Sequence, residues 1–181
     1  MELKKRFEKM WQSLYWTRQY HVVTKYTPQG YNKQGVYILD EWTDYGCIGH
    51  EYDGKLLTED EYLKVENSYV QCAKEIMQKS GCSYLTIAHI NKMGNRIRRL
   101  SKFRYKSRVY LNELDILLRE ALRDRIDCHM VNLNKKFGIF PGTDYYMEIR
   151  SPLDWDVLNE IVRSHGLYLD PCSDKYDYLR E

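Results

Sequence analysis

Apolar positions recur along this chain with two different periods, and the switches between them mark out the expected elements. Leu3, Phe7, Met10, Trp11, Leu14 and Tyr15 fall three or four apart among charged residues, which predicts an amphipathic helix over residues 2–18. The next stretch, through Thr27-Pro28-Gln29-Gly30 and Asn32-Lys33-Gln34-Gly35, is rich in turn residues and reads as a loop. Val36 to Trp42 is short, β-branched and aromatic, the composition of a strand. Asp44-Tyr45-Gly46 and Tyr52-Asp53-Gly54 then read as turns on either side of a brief extended piece around Ile48.

A helix follows with a clear start. Thr58-Glu59-Asp60-Glu61 has the pattern in which a Thr hydroxyl and a Glu carboxylate satisfy each other's free backbone N–H groups. Behind it Tyr62, Val65, Tyr69, Cys72, Ala73, Ile76 and Met77 form an apolar stripe that stops near Gly81. Tyr84 to Ile90 predicts a strand. Residues 91–108 have no clean period and read as a loop or a short solvated helix. Leu111, Leu114, Leu117, Leu118, Ala121 and Leu122 predict another helix. Cys128–Leu133, Lys136–Phe140 and Tyr145–Arg150 predict an antiparallel meander with turns at Asn134-Lys135 and Pro141-Gly142-Thr143. A last helix opens at Ser151-Pro152 and closes at Gly166, and Leu167–Leu169 adds an edge strand. The sum is one α+β domain over residues 1–181, with a short mixed or antiparallel sheet and about four helices.

Composition narrows the class. Apolar residues make up 43% and charged residues 30% of 181 residues, as in globular proteins. Tyrosine is in excess at 17, which suits cores and binding surfaces alike. No run of about 18 apolar residues occurs, and the charged start lacks the pattern of an export signal, so no membrane span is expected. Cys47, Cys72, Cys82, Cys128 and Cys172 are odd in number and widely spaced, which predicts reduced thiols and a cytoplasmic protein rather than a disulfide framework or a zinc site.

Catalytic patterns are missing. His21, His50, His89, His129 and His165 stand alone, without the His-x-x-x-His or His-x-Glu spacing that holds a metal. No phosphate-cradling glycine loop and no Gly-x-Ser-x-Gly elbow occurs. The expectation is a binding protein rather than an enzyme, with no cofactor and no metal.

Charge is unevenly spread behind a net +2. Between Asn91 and Arg108 stand Lys92, Arg96, Arg98, Arg99, Lys102, Arg104, Lys106 and Arg108, with no acid. Interleaved with Phe103 and Tyr105, they have the makeup of a segment that neutralises phosphates and stacks bases, so nucleic-acid binding through 91–108 is one expectation. Between Asp40 and Glu66, nine acids face only Lys55 and Lys64. Helix capping accounts for Glu59, Asp60 and Glu61 but neither for Glu41 nor for Asp40, Asp44, Glu51 and Asp53 on the preceding strand and turns. These four, supported by the other three, are the candidate surface for a basic partner.

Two groups of residues resemble small bacterial immunity proteins of polymorphic-toxin and contact-dependent growth inhibition systems. One is Glu41-Trp42-Thr43-Asp44-Tyr45-Gly46, with Glu51-Tyr52-Asp53-Gly54 and Thr58-x-x-Glu61-Tyr62-x-x-Val65-Glu66-x-x-Tyr69. The other is Leu118-Arg119-Glu120, with Cys128, Phe137-Gly138 and Asp144-Tyr145-Tyr146-Met147. In the family the Phe-Gly pair lies almost against the Asp-Tyr-Tyr-Met element. Here Ile139 to Thr143 intervene, which implies a longer turn. The resemblance implies a neutralising partner of a cognate toxin, and the acidic surface suits a basic nuclease. These motifs are turn and core patterns, so no contact residue carries over.

Overall fold

The computed structural model describes residues 20–93 and 98–171. The helix expected over 2–18 lies outside them, as do Arg96 and Cys172. Nine strands are described: β1 (Tyr20–Thr24), β2 (Glu51–Tyr52), β3 (Lys55–Leu56), β4 (Tyr84–Lys92), β5 (Arg108–Tyr110), β6 (Ile126–Asn132), β7 (Phe137–Pro141), β8 (Tyr146–Arg150) and β9 (Tyr168–Leu169). Three α-helices accompany them: α1 (Glu59–Lys79), α2 (Leu111–Leu122) and α3 (Trp155–Ser164). Seven strands form one antiparallel sheet in the order β5-β4-β6-β7-β8-β1-β9. β2 and β3 form a separate hairpin. The architecture is α+β.

Helix α1 starts where its cap dictates. Glu61 N–H donates to Thr58 Oγ1 (3.2 Å) and Thr58 N–H donates to Glu61 Oε2 (3.0 Å). It ends at Gly81, whose φ of 62° lets Cys82 N–H reach back to Met77 C=O at 3.0 Å. Its buried stripe joins Leu114, Leu117 and Leu118 of α2, Leu158 and Val162 of α3, and one face of the sheet in a single core. Inward positions alternate along the strands, as Leu85 and Ile87 on β4, Cys128 and Met130 on β6 and Met147 and Ile149 on β8 do.

Four expectations need correction. His21-Val22-Val23-Thr24 belongs to β1, an interior strand between β8 and β9, and not to a loop. Val36–Trp42 forms no strand; its pairing among the described residues is one isolated bridge between Tyr37 and Tyr31, and residues 39–42 have no strand partner there. The last helix begins after Asp154 instead of Ser151, because Ser151 Oγ closes a small turn by accepting from Leu153 N–H (3.1 Å). Between Phe137-Gly138 and Asp144-Tyr145, Ile139 to Pro141 continue strand β7, so the extra residues lengthen a strand and not the turn alone.

Candidate protein-interaction groove

The unpaired segment, the β2–β3 hairpin and the first turns of α1 enclose an open groove of about 420 Å³. Each wall has a local cause. The hairpin turns at Asp53-Gly54, both with positive φ (47° and 72°), the geometry of the tight turn that suits strand twist and needs Asn, Asp or Gly. Asp53 N–H donates to Asp40 Oδ2 at 3.0 Å, which fixes the hairpin tip to the unpaired segment. Leu57 N–H donates to His50 C=O (2.8 Å) and Gly49 N–H to Leu57 C=O (2.9 Å), continuing the ladder below the hairpin.

The groove is lined by apolar and acidic side chains together. Ile38, Leu39 and Leu56 line it and are 63%, 50% and 52% exposed. Asp40, Glu41, Asp53 and Glu61 line it too, opposed by Lys55 alone. Glu61 is held below the usual carboxylate range, first by the Thr58 backbone N–H and then by its hydroxyl. Glu41 is answered from behind by Lys25, whose ammonium lies 4.2 Å from the Trp42 ring centroid and 4.3 Å from that of Tyr26. Burial lowers the Lys25 pKa, and the Glu41 hydrogen bond opposes that shift. Trp42 backs onto Tyr62 and Tyr145 at ring separations of 5.4 and 5.0 Å, so the groove wall rests on the core.

Of the seven acids expected at a partner surface, Asp40, Asp53 and Glu61 line this groove. Glu51, Glu59 and Asp60 are exposed nearby in sequence but do not line it. Asp44 is half-buried and works locally: its carboxylate accepts from Gly46 N–H (2.6 Å) and Thr43 Oγ1 (3.2 Å), capping a short 3-10 turn at Tyr45–Cys47. Glu66, counted with the acidic stretch, is fully buried and held by Arg119 (2.7 Å) and Arg123 (2.5 Å) of α2. The sequence reading missed the exposed Ile38, Leu39 and Leu56. The excess of acids between Asp40 and Glu66 and the Tyr52-Asp53-Gly54 turn signal pointed to this place.

Among the described residues of the basic segment, several charges have partners in the fold. Arg99 pairs with Glu120, and Lys102 with Glu113. Lys92 Nζ donates to the Leu100 and Phe103 carbonyls (2.6 and 3.0 Å), and both of those side chains are buried. Arg108 stacks on Tyr84 at 4.6 Å. Even so Lys92, Arg98, Arg99, Lys102, Arg104, Lys106 and Arg108 are all exposed.

Strand register also joins what sequence spacing kept apart. His89 faces His129 across β4 and β6, and their Nε2 atoms lie 3.0 and 3.5 Å from the Asp127 carboxylate. Among the described residues, no group of three or more His, Cys, Asp or Glu is placed to hold a metal ion. Among the same residues, no helix is long and apolar enough to cross a membrane. Comparison of the chain with protein-family models, curated proteins and solved structures finds no match.

Proposed function

We propose that this chain acts without catalysis, by binding a protein: it is an immunity protein that neutralises a cognate bacterial toxin in the cytoplasm, the toxin being a basic nuclease. The observation that carries this reading is the groove itself, where Asp40, Asp53 and Glu61 frame the exposed Ile38, Leu39 and Leu56. Exposed apolar side chains in a concave site, lined by four acids against one lysine, suit a partner whose own surface is apolar and basic. A nuclease must carry positive charge where it holds phosphate, and an inhibitor gains by presenting carboxylates there. The family resemblance between Glu41 and Met147 supports the same reading.

The test is co-expression with the product of the gene immediately upstream, followed by co-purification and a protection assay. We expect a one-to-one complex with nanomolar or tighter affinity, about −12 kcal/mol, because unbound toxin is lethal. Failure both to co-elute and to protect cells would end the immunity reading.

A further inference from the structure

The segment that lines the groove has an unusual main chain. Ile38 N–H is spent on Gly30 C=O (2.9 Å), and the next backbone bond along the chain is Cys47 N–H to Asp44 C=O. Between them, residues 39–43 make no backbone hydrogen bond among the described residues. Loop backbone left to water is ordinary where its surroundings are polar. Here it runs beside Leu39 and Leu56, both half exposed, in a concave site whose opposite wall is a hairpin. The sequence of this stretch, Ile38-Leu39-Asp40-Glu41-Trp42, is that of a strand, yet among the described residues no strand pairs with it.

We propose that the groove takes an extended segment of the partner, which pairs with the main chain of residues 39–43 as an added strand. The proposal rests on the reading of this chain as a toxin-binding protein and specifies the chemistry of what enters the groove. Main-chain pairing supplies affinity in such docking, and the alternation of side chains along the guest supplies specificity. Side chains on one face of the guest meet Leu39 and Leu56 and are apolar. Those on the other meet Asp40, Asp53 and Glu61 and are lysine or arginine. A guest helix would satisfy its own backbone and leave residues 39–43 unmet, so the extended form is favoured.

The probe is a hexapeptide alternating lysine and valine, blocked at both ends and titrated into the full chain by NMR. Its two controls carry N-methyl groups at alternate amides, or glutamate in place of lysine. Saturable binding is expected, with slowed exchange at alternate amides of residues 39–43, those on the edge that pairs. N-methylation along the pairing edge should weaken it at least about tenfold, and so should glutamate. Equal binding of the parent and N-methylated peptides, or unchanged exchange at every amide of residues 39–43, overturns strand addition but leaves the groove as a docking site. Absence of binding by every peptide also overturns strand addition. The immunity reading is decided separately, by whether the chain co-purifies with its toxin.

Discussion

Burial pushes the Cys72 and Cys128 thiols up to about 12, against 9.0 for an ordinary thiol. Below pH 9 both thiols are protonated whether the chain is folded or not, and they leave stability unchanged. Above it the unfolded chain releases these protons while the folded chain keeps them. The unfolded state then binds fewer protons, and stability falls as pH rises from 9 towards 12. Each thiol removes up to about 1.4 kcal/mol per pH unit over that range. Tyr62, pushed up to about 12 from 10.0, adds to the slope from pH 10. Chemical denaturation under reducing conditions at pH 7.5, 9 and 10.5 should change little over the first interval and fall over the second; a Cys72→Ala, Cys128→Ala variant should show a shallower fall, the buried tyrosines supplying the rest. The same scale explains why Glu66 was misread from sequence. Tyr62, Glu66, Tyr69 and Ala73 are spaced four, three and four apart, so Glu66 is in phase with the apolar stripe and had to be buried. What its phase could not reveal was the pair of arginines one helix away that balance it.

Among the elements, those with a strong period or an explicit cap were legible, and those defined by a distant neighbour were not. Helix α1 was legible because its cap is spelled out in four residues, and α2 because its leucines repeat. Strand β1 was hidden because its neighbours β8 and β9 come more than a hundred residues later. Val36–Trp42 has the composition of a strand, but composition states a preference for extended backbone and not the presence of a partner strand. The cap of α1 and the groove share Glu61, and two substitutions separate its roles. Thr58→Ala removes the hydroxyl that accepts from Glu61 N–H and should cost about 1 kcal/mol of stability. It leaves the rim charge in place, so binding of the lysine–valine peptide should hardly change. Glu61→Gln keeps an oxygen for Thr58 N–H but removes the charge, so it should spare stability and weaken the peptide. Thermal melts and peptide titrations of the two variants check both halves; matching effects on both readouts would mean that the groove and the cap are not separable.

At the scale of the whole molecule, opposite charge concentrates in two stretches, and the fold spends that charge unequally. The segment from Asn91 to Arg108 looks in sequence like a nucleic-acid patch; among its described residues Arg99 and Lys102 are paired to acids, Lys92 holds two carbonyls and Arg108 lies on Tyr84, while all four stay exposed. On the acidic side Glu66 is internal and Asp44 caps a turn, but Asp40, Asp53 and Glu61 stay at the rim of one groove. The asymmetry was readable from sequence; which charges stay available was not, because pairing is a property of three-dimensional neighbours. This difference gives a kinetic prediction for the two faces. Exposed rim charges act through long-range attraction, which raises the association rate and is screened over about 8 Å at physiological salt. Association with the toxin should therefore slow by roughly tenfold between 50 and 500 mM NaCl, with a smaller change in dissociation. An Asp40→Asn, Asp53→Asn, Glu61→Gln variant should associate slowly even at low salt and lose most of that dependence. Asn at position 40 can still accept from Asp53 N–H, so the hairpin tip stays anchored. An Arg98→Glu, Arg104→Glu variant should associate as fast as the parent or faster, and neither it nor the parent should hold single-stranded RNA tightly at physiological salt. Stopped-flow association measured across this salt series decides the matter: rates indifferent to salt and to the triple substitution would move the interface away from the groove, and sub-micromolar RNA binding lost on reversing Arg98 and Arg104 would assign the basic segment the larger role.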